Sequence, residues 1–385
     1  MIFNKRGLFF LGSVFSLTGT IIGAGIFGLP FIFSKVGWQT SLILFVFLAS
    51  IILLVHFNYA YIVLRTEGKH RLAGYAQIYL GEWAKIVEIF STIFGYIGGL
   101  LVYGILAGEF LSKLIPQFSS FELTIAFFLI GGLSIYLRQK TFFEMESILS
   151  LVLAGLFLAI IFYGISHVNS ENFLNLEEVN LKNVFLAYGA ILFSLSGVAV
   201  IPEIVGSFFN ANLKNVSFKY VSYIIFSGTL FASLITLFFA LVVVGISGAN
   251  TSPDALSGLG DNIGWWIAVF GSVVGFFAII TSYIPFGVNA RHVLSYDLGF
   301  SKISAILVVA FLPMILFLLG LRNFIAIIGA LGVVFGGIDS ILIMAIAAKI
   351  RRQAQIKPSF INAASYFVGV VFLAGIILEI YFLFS

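Results

Sequence analysis

Apolar residues run along this chain in blocks too long for the core of a soluble domain, and short polar stretches between them carry most of the charge. A helix needs about 20 consecutive apolar residues to cross the hydrocarbon of a bilayer. Blocks of that kind lie at 8–33, 40–64, 84–112, 121–137, 143–166, 183–206, 217–246, 263–291, 303–320, 323–348 and 362–384. The pattern predicts an all-α polytopic membrane protein with about eleven transmembrane helices in a single membrane domain, 1–385. The stretch from Leu72 to Trp83 is short and mixed, and reads as an interfacial segment rather than a span.

Charge tests this count. With the N-terminus in the cytoplasm and the spans alternating, sixteen of the twenty basic residues fall inside, and only Lys35, Lys113, Lys182 and Arg322 fall outside. That is the positive-inside bias of a plasma-membrane protein, and a missed span would invert every later loop and spoil it. Two outer loops are acidic, with Glu171, Glu177 and Glu178 in one and Asp254 and Asp261 in the other. The C-terminus is then expected outside. Composition agrees: 61% of the 385 residues are hydrophobic and 9% charged, against about 25% charged in a soluble domain. The net charge of +4 follows from topology and does not argue for nucleic acid. The absence of cysteine excludes thiol chemistry and Cys-ligated metals, and the four histidines have no metal-ligand spacing.

The order of spans points to a duplication. Residues 8–166 hold five spans and 183–348 five more; five being odd, the second set enters the membrane inverted relative to the first. The two sets share an interrupted opening helix, a feature of transporter sites. The first span reads TGTIIGAGIFGLP, Thr18 to Pro30. Each Gly costs about 1 kcal/mol in a helix relative to Ala, and Pro about 3, so a break around Gly23–Ile26 is expected. Its freed N–H groups and the positive helix end suit a carboxylate. Small residues also permit close helix packing; the proline and the matching interruption favour a site. The sixth span reads LFSLSGVAVIPE, Leu192 to Glu203. A break at Ser194, Ser196 and Gly197 would expose carbonyls to an ammonium group, although serine in a membrane helix also bonds back to its own helix. A zwitterionic amino acid needs both kinds of partner.

These segments resemble known transporters. TGTIIGAGIFGLP looks like the first helix of the amino acid/polyamine/organocation superfamily. YGILAGEFL (Tyr103–Leu111) is similar to the third helix of the amino acid/auxin permeases, and LFSLSGVAVIPE to their sixth. FAIITS (Phe277–Ser282) resembles the eighth helix of the bacterial tryptophan/tyrosine permeases and of sodium-coupled transporters of the leucine-transporter fold. The resemblance implies a five-plus-five inverted repeat (8–166 and 183–348), with helices 1 and 6 discontinuous and one added helix, 362–384. It implies backbone contacts from Gly23, Ala24, Gly25 and Ile26 to a substrate carboxylate, with Ser194, Ser196 and Gly197 facing the amine. It also implies a Na+ site from the carbonyls of Gly19, Ile22 and Ala278 and the hydroxyls of Thr281 and Ser282. Such residues occur in proton-driven relatives too, so either Na+ or H+ is expected as the coupling ion.

A charged side chain at mid-bilayer costs about 2.5–3.5 kcal/mol on insertion scales. Glu109, near the outer end of the third span, reads as an interfacial carboxylate or a gating or proton-coupling group. Glu203 lies close to the proposed site. Asp339, deep in the tenth span, is either a proton carrier or a structural hydrogen-bond partner. His56 and Asn58 read as interhelical glue. The expected function is a secondary transporter that moves amino acids, aromatic or otherwise neutral, across the bilayer by alternating access with cation symport. The alternative is an amino acid exchanger without net ion coupling. Polar residues within the spans do not gather into a nucleophile–base or metal cluster, which argues against an enzyme.

Overall fold

The structure, a computed structural model, describes residues 5–68, 70–136, 140–174, 181–210, 217–355 and 360–384. The side chains of 5–6, 8, 136, 140–148, 209–210, 360–363 and 380–384 lie outside that description, as do Glu177 and Glu178 of the acidic outer loop. Among the described residues the chain is helical and without strands. The reason is the solvent: inside a bilayer each backbone N–H and C=O must be satisfied within its own segment, and an apolar block does so only as a helix.

The first predicted span is two helices, α1 (Lys5–Ile21) and α2 (Gly25–Val36), meeting at a bend of 54°. Next come α3 (Trp38–Arg65), the short α4 (Leu72–Leu80), α5 (Glu82–Leu114), α6 (Ser120–Tyr136) and α7 (Lys140–Ile165). The sixth span is also divided, into α8 (Leu181–Leu195) and α9 (Ile201–Asn210). Then follow α10 (Phe218–Ser247), the short α11 (Leu256–Ile263), α12 (Trp265–His292) and α13 (Lys302–Leu318). The tenth block is α14 (Phe324–Ala330) and α15 (Gly336–Gln353) joined by a π-helical turn, and α16 (Phe360–Phe384) ends the chain. Among the described residues, six segments are long and apolar enough to cross a membrane, seven with the bent α1–α2 pair, and four shorter apolar helices coincide with the remaining predicted blocks. The chain is thus a polytopic helical membrane protein. Its outer faces carry exposed Ile43, Ile130 and Phe162, which lipid covers.

Two packed groups face each other. α5, α6, α12 and α13 form one; α1, α2, α3, α8 and α10 form the other. Small residues set the closest approaches. A Cβ on Gly332 would lie 1.9 Å from the carbonyl oxygen of Gly189, so the tenth span runs backbone to backbone against α8. At the far end of α15, buried Arg351 donates to Asn58 Oδ1 (2.6 Å) and lies over the Tyr61 ring (4.9 Å). Asn58 is therefore glue between α3 and α15, as the sequence indicated.

Candidate binding site between two broken helices

α1 ends because its ladder fails after Ile22, whose N–H still reaches the Thr18 carbonyl (2.9 Å), while Gly23 N–H turns back to the Ile21 carbonyl (2.9 Å). α2 then starts at Gly25 with Ala24 before it and no side chain capping it. The first N–H groups of any helix lack an intrahelical acceptor; here they belong to buried Gly25 and Ile26. A buried, uncapped helix start presents donors and a positive dipole end to whatever fills the space before it. Gly25 is pressed onto the other break. A Cβ there would stand 2.3 Å from Ser194 Oγ and 2.6 Å from Ser194 Cα.

The second break begins after Leu195. A single 3-10 turn, Val198–Val200, precedes α9, whose second residue is Pro202. The last carbonyls of α8 lose their helical donors, although Phe193 O takes Ser196 N–H at 3.3 Å. The Gly197 N–H donates to His56 Nε2 of α3 (3.1 Å), while His56 Nδ1 sits 3.0 Å from Thr229 Oγ1 of α10. Because Nε2 accepts, the ring is a neutral tautomer protonated at Nδ1, which donates to Thr229. His56 thus holds the break open from behind, a more specific role than generic interhelical glue. Ser194 Oγ is buried and has no hydrogen-bond partner among the described residues.

Between the helix groups lies a cavity of about 1070 Å³, ample for a small-molecule ligand. Gly23, Ala24, Gly25 and Ser196 line it. Ile26, Ser194 and Gly197 are buried behind that lining, Gly197 against Leu17 and Ile21 of α1. Rings form part of the wall: Phe286 of α12 meets Tyr96 and Tyr103 of α5 edge-on, at 5.1 and 5.4 Å between centroids. The cavity reaches Arg65 to Gly68 and His70 to Leu72, on the side that the charge pattern assigns to the cytoplasm.

The opposite end is closed. Phe27, just past the first break, packs on Phe110 (4.8 Å), Phe157 (5.7 Å) and Phe239 (6.2 Å), all fully buried. Beyond them Lys113, at the end of α5, pairs with Asp254 at 2.5 Å. Burial acts to raise the Asp254 carboxyl, but the Lys113 charge and hydrogen bonds from Lys113, Ser252 and Ser257 outweigh it and hold the group below the usual carboxylate range.

Of the acidic candidates, Glu203 and Asp339 line the cavity; Glu109 does not, lying half-buried near the outer end of α5. The proposed cation oxygens are chemically suited to a hard monovalent ion, being three carbonyls and two hydroxyls. Thr281 Oγ1 donates to the Ala278 carbonyl (2.9 Å), and the Ser282 hydroxyl bonds Tyr103; both keep lone pairs for a cation. Gly19 packs on Ser150 of α7, and Gly23 at the first break lies beside Ser282 of α12. Sequence reasoning passed over Glu88, a cavity-lining residue only 1% exposed. Its signal was available: a carboxyl inside an apolar block, flanked by Ser91 and Thr92 on the next turn.

Two discontinuous helices, a cavity between them and one closed end are features of membrane permeases of the broken-helix kind. The chain matches the tryptophan/tyrosine permease family over residues 7–382 and belongs to it, which makes it an amino acid transporter. It is also 25% identical over 294 residues to a tyrosine permease of Enterobacter agglomerans, covering 71% of this chain and 67% of that one.

Proposed function

We propose that this protein carries an aromatic amino acid across the plasma membrane by alternating access, with all eleven apolar blocks spanning, the N-terminus inside and the C-terminus outside. The observation that carries the reading is the buried, uncapped start of α2 on the cavity wall, with Ser196 of the second break on the same wall. The substrate carboxylate would take the N–H groups of Gly25 and Ile26, reached past Gly23 and Ala24. The ammonium would take Ser196 Oγ and the carbonyls freed at the end of α8 near Ser194 and Gly197. An aromatic side chain would lie among Tyr103, Phe193 and Phe286, where edge and face contacts add about 0.5–1.5 kcal/mol per pair beyond burial.

The two halves would form an inverted repeat, 8–166 and 183–348. Substrate release occurs toward the cytoplasmic side in the conformation described, and rocking of the α1, α2, α8, α9 group against α5, α6, α12 and α13 would open the outer end. A cation drives the cycle: Na+ on Gly19, Ile22, Ala278, Thr281 and Ser282, or H+ on cavity carboxyl groups. The test is uptake of labelled L-tyrosine into proteoliposomes under imposed Na+ and H+ gradients, competed by a panel of the standard amino acids. Saturable uptake blocked by aromatic amino acids is expected. If no amino acid is taken up or exchanged, the reading is wrong; counterflow that ignores both gradients would instead support the exchanger.

A further inference from the structure

We propose that Glu88 and Asp339 together form the proton-carrying site of the cycle, one proton being shared between their two carboxyl groups. The proposal rests on the transport reading above and fixes its coupling ion. Glu88 lies about 9 Å along α5 from Glu82 (six residues at 1.5 Å each), and Asp339 reaches it from α15. The two side chains are within hydrogen-bonding reach of each other on the cavity wall.

Each carboxyl group has one oxygen satisfied. Glu88 Oε1 accepts from Thr92 Oγ1 and Asp339 Oδ1 from Ser91 Oγ, both at 2.8 Å. Glu88 Oε2 is buried and has no hydrogen-bond donor among the described residues. Two carboxylates cannot both hold a charge at that separation in a low-dielectric wall. A proton between them supplies the missing donor and removes one charge. The other ionisable groups around the pair are Tyr59 of α3, Tyr75 of α4, Tyr96 of α5 and Glu203 of α9. The basic side chains on this wall, Arg65, His70 and Arg71, sit at the mouth, as does Asp297; Arg71 is directed to Asn289 Oδ1 at 3.0 Å. None of them hydrogen-bonds the pair among the described residues. The pair is therefore loaded and emptied by water in the cavity: a hydronium gives its proton to the pair on one side, and the pair returns it to cavity water on the other. With a zwitterionic substrate, one positive charge crosses per turnover.

The test uses the full chain in proteoliposomes, with labelled L-tyrosine as substrate and pyranine in the lumen. In the wild type an acid exterior should drive accumulation, and tyrosine entry should acidify the lumen. Glu88→Gln should retain tyrosine counterflow yet lose lumen acidification, and accumulation driven by ~100 mV should fall from roughly forty-fold to parity. Asp339→Asn should behave alike. A Glu88→Gln protein that still moves protons with tyrosine overturns the proposal. So does a wild type that counterflows tyrosine without moving protons, and that outcome leaves the transport reading standing. A wild type with no counterflow of tyrosine or tryptophan refutes both. Should neither variant insert, wild-type infrared difference spectra between acid and alkaline lumen decide: a protonated-carboxyl C=O band that shifts in D2O is expected, and its absence overturns the assignment.

Discussion

Replacing Lys113 with alanine removes the cation that ties the outer end of α5 to the loop before α11. In the closed outer end Lys113 Nζ sits 2.5 Å from Asp254 Oδ2, and the two side chains are 17% and 8% exposed. A hydrogen bond to a charged partner in such a setting contributes about 1.5–3 kcal/mol. If the bond exists only while the outer end is closed, that energy biases the inward–outward equilibrium, so its loss shifts the populations roughly ten- to hundredfold toward the outward-open state. The chain has no cysteine, so one introduced thiol reports without background. Ala199 lines the cavity and is exposed to it, which makes Ala199→Cys the reporter. With Lys113 present, an impermeant maleimide should label from the cytoplasmic side; in Lys113→Ala, labelling from outside should rise and labelling from inside fall. Adding Asp254→Asn should recover part of the closure, because no unpaired buried charge then remains. The pH dependence has a definite sign. A carboxyl held low in the closed state supports closure fully above its ordinary value near 3.9, and that support is lost as pH falls through the lower, closed-state value. The difference in labelling between Lys113→Ala and its parent, the two compared at the same pH, should therefore not change with external pH between about 5 and 8. Equal labelling of Lys113→Ala and its parent from both sides would refute the latch.

Three further outcomes follow from the two breaks. Gly25→Leu should insert normally and lose tyrosine uptake, since even its Cβ would lie 2.6 Å from the Ser194 backbone; normal uptake by that variant would remove the carboxylate site. His56→Phe strands the buried Gly197 N–H, a loss of about 1–3 kcal/mol, and should lower the melting temperature in detergent and slow transport, with His56→Gln milder than His56→Phe; a Phe variant as stable as wild type contradicts the assigned cap. Thr281→Ala should weaken any sodium dependence of uptake, and unchanged sodium dependence would take Thr281 out of the cation site.

Glycine, proline and serine positions told of both interruptions because local propensity decides where a membrane helix fails: Gly23–Gly25 and Ser196–Gly197 are where the ladders end. Hydropathy alone likewise located the helical blocks, since the bilayer allows an apolar run few other conformations. Local rules do not say which groups from distant segments meet. His56 reaching across 141 residues to Gly197, Glu88 meeting Asp339 from α15, and Lys113 meeting Asp254 all depend on helix packing angles. So does the burial of Ser194 and Gly197 behind the lining while Ser196 faces the cavity. The π-helical turn at Leu331–Phe335 went unseen for the same cause, because it sits where the tenth span presses on α8 at Gly189. Sequence set where the backbone breaks; only the packed bundle set which side chains the breaks face, because those contacts join residues that no local pattern links.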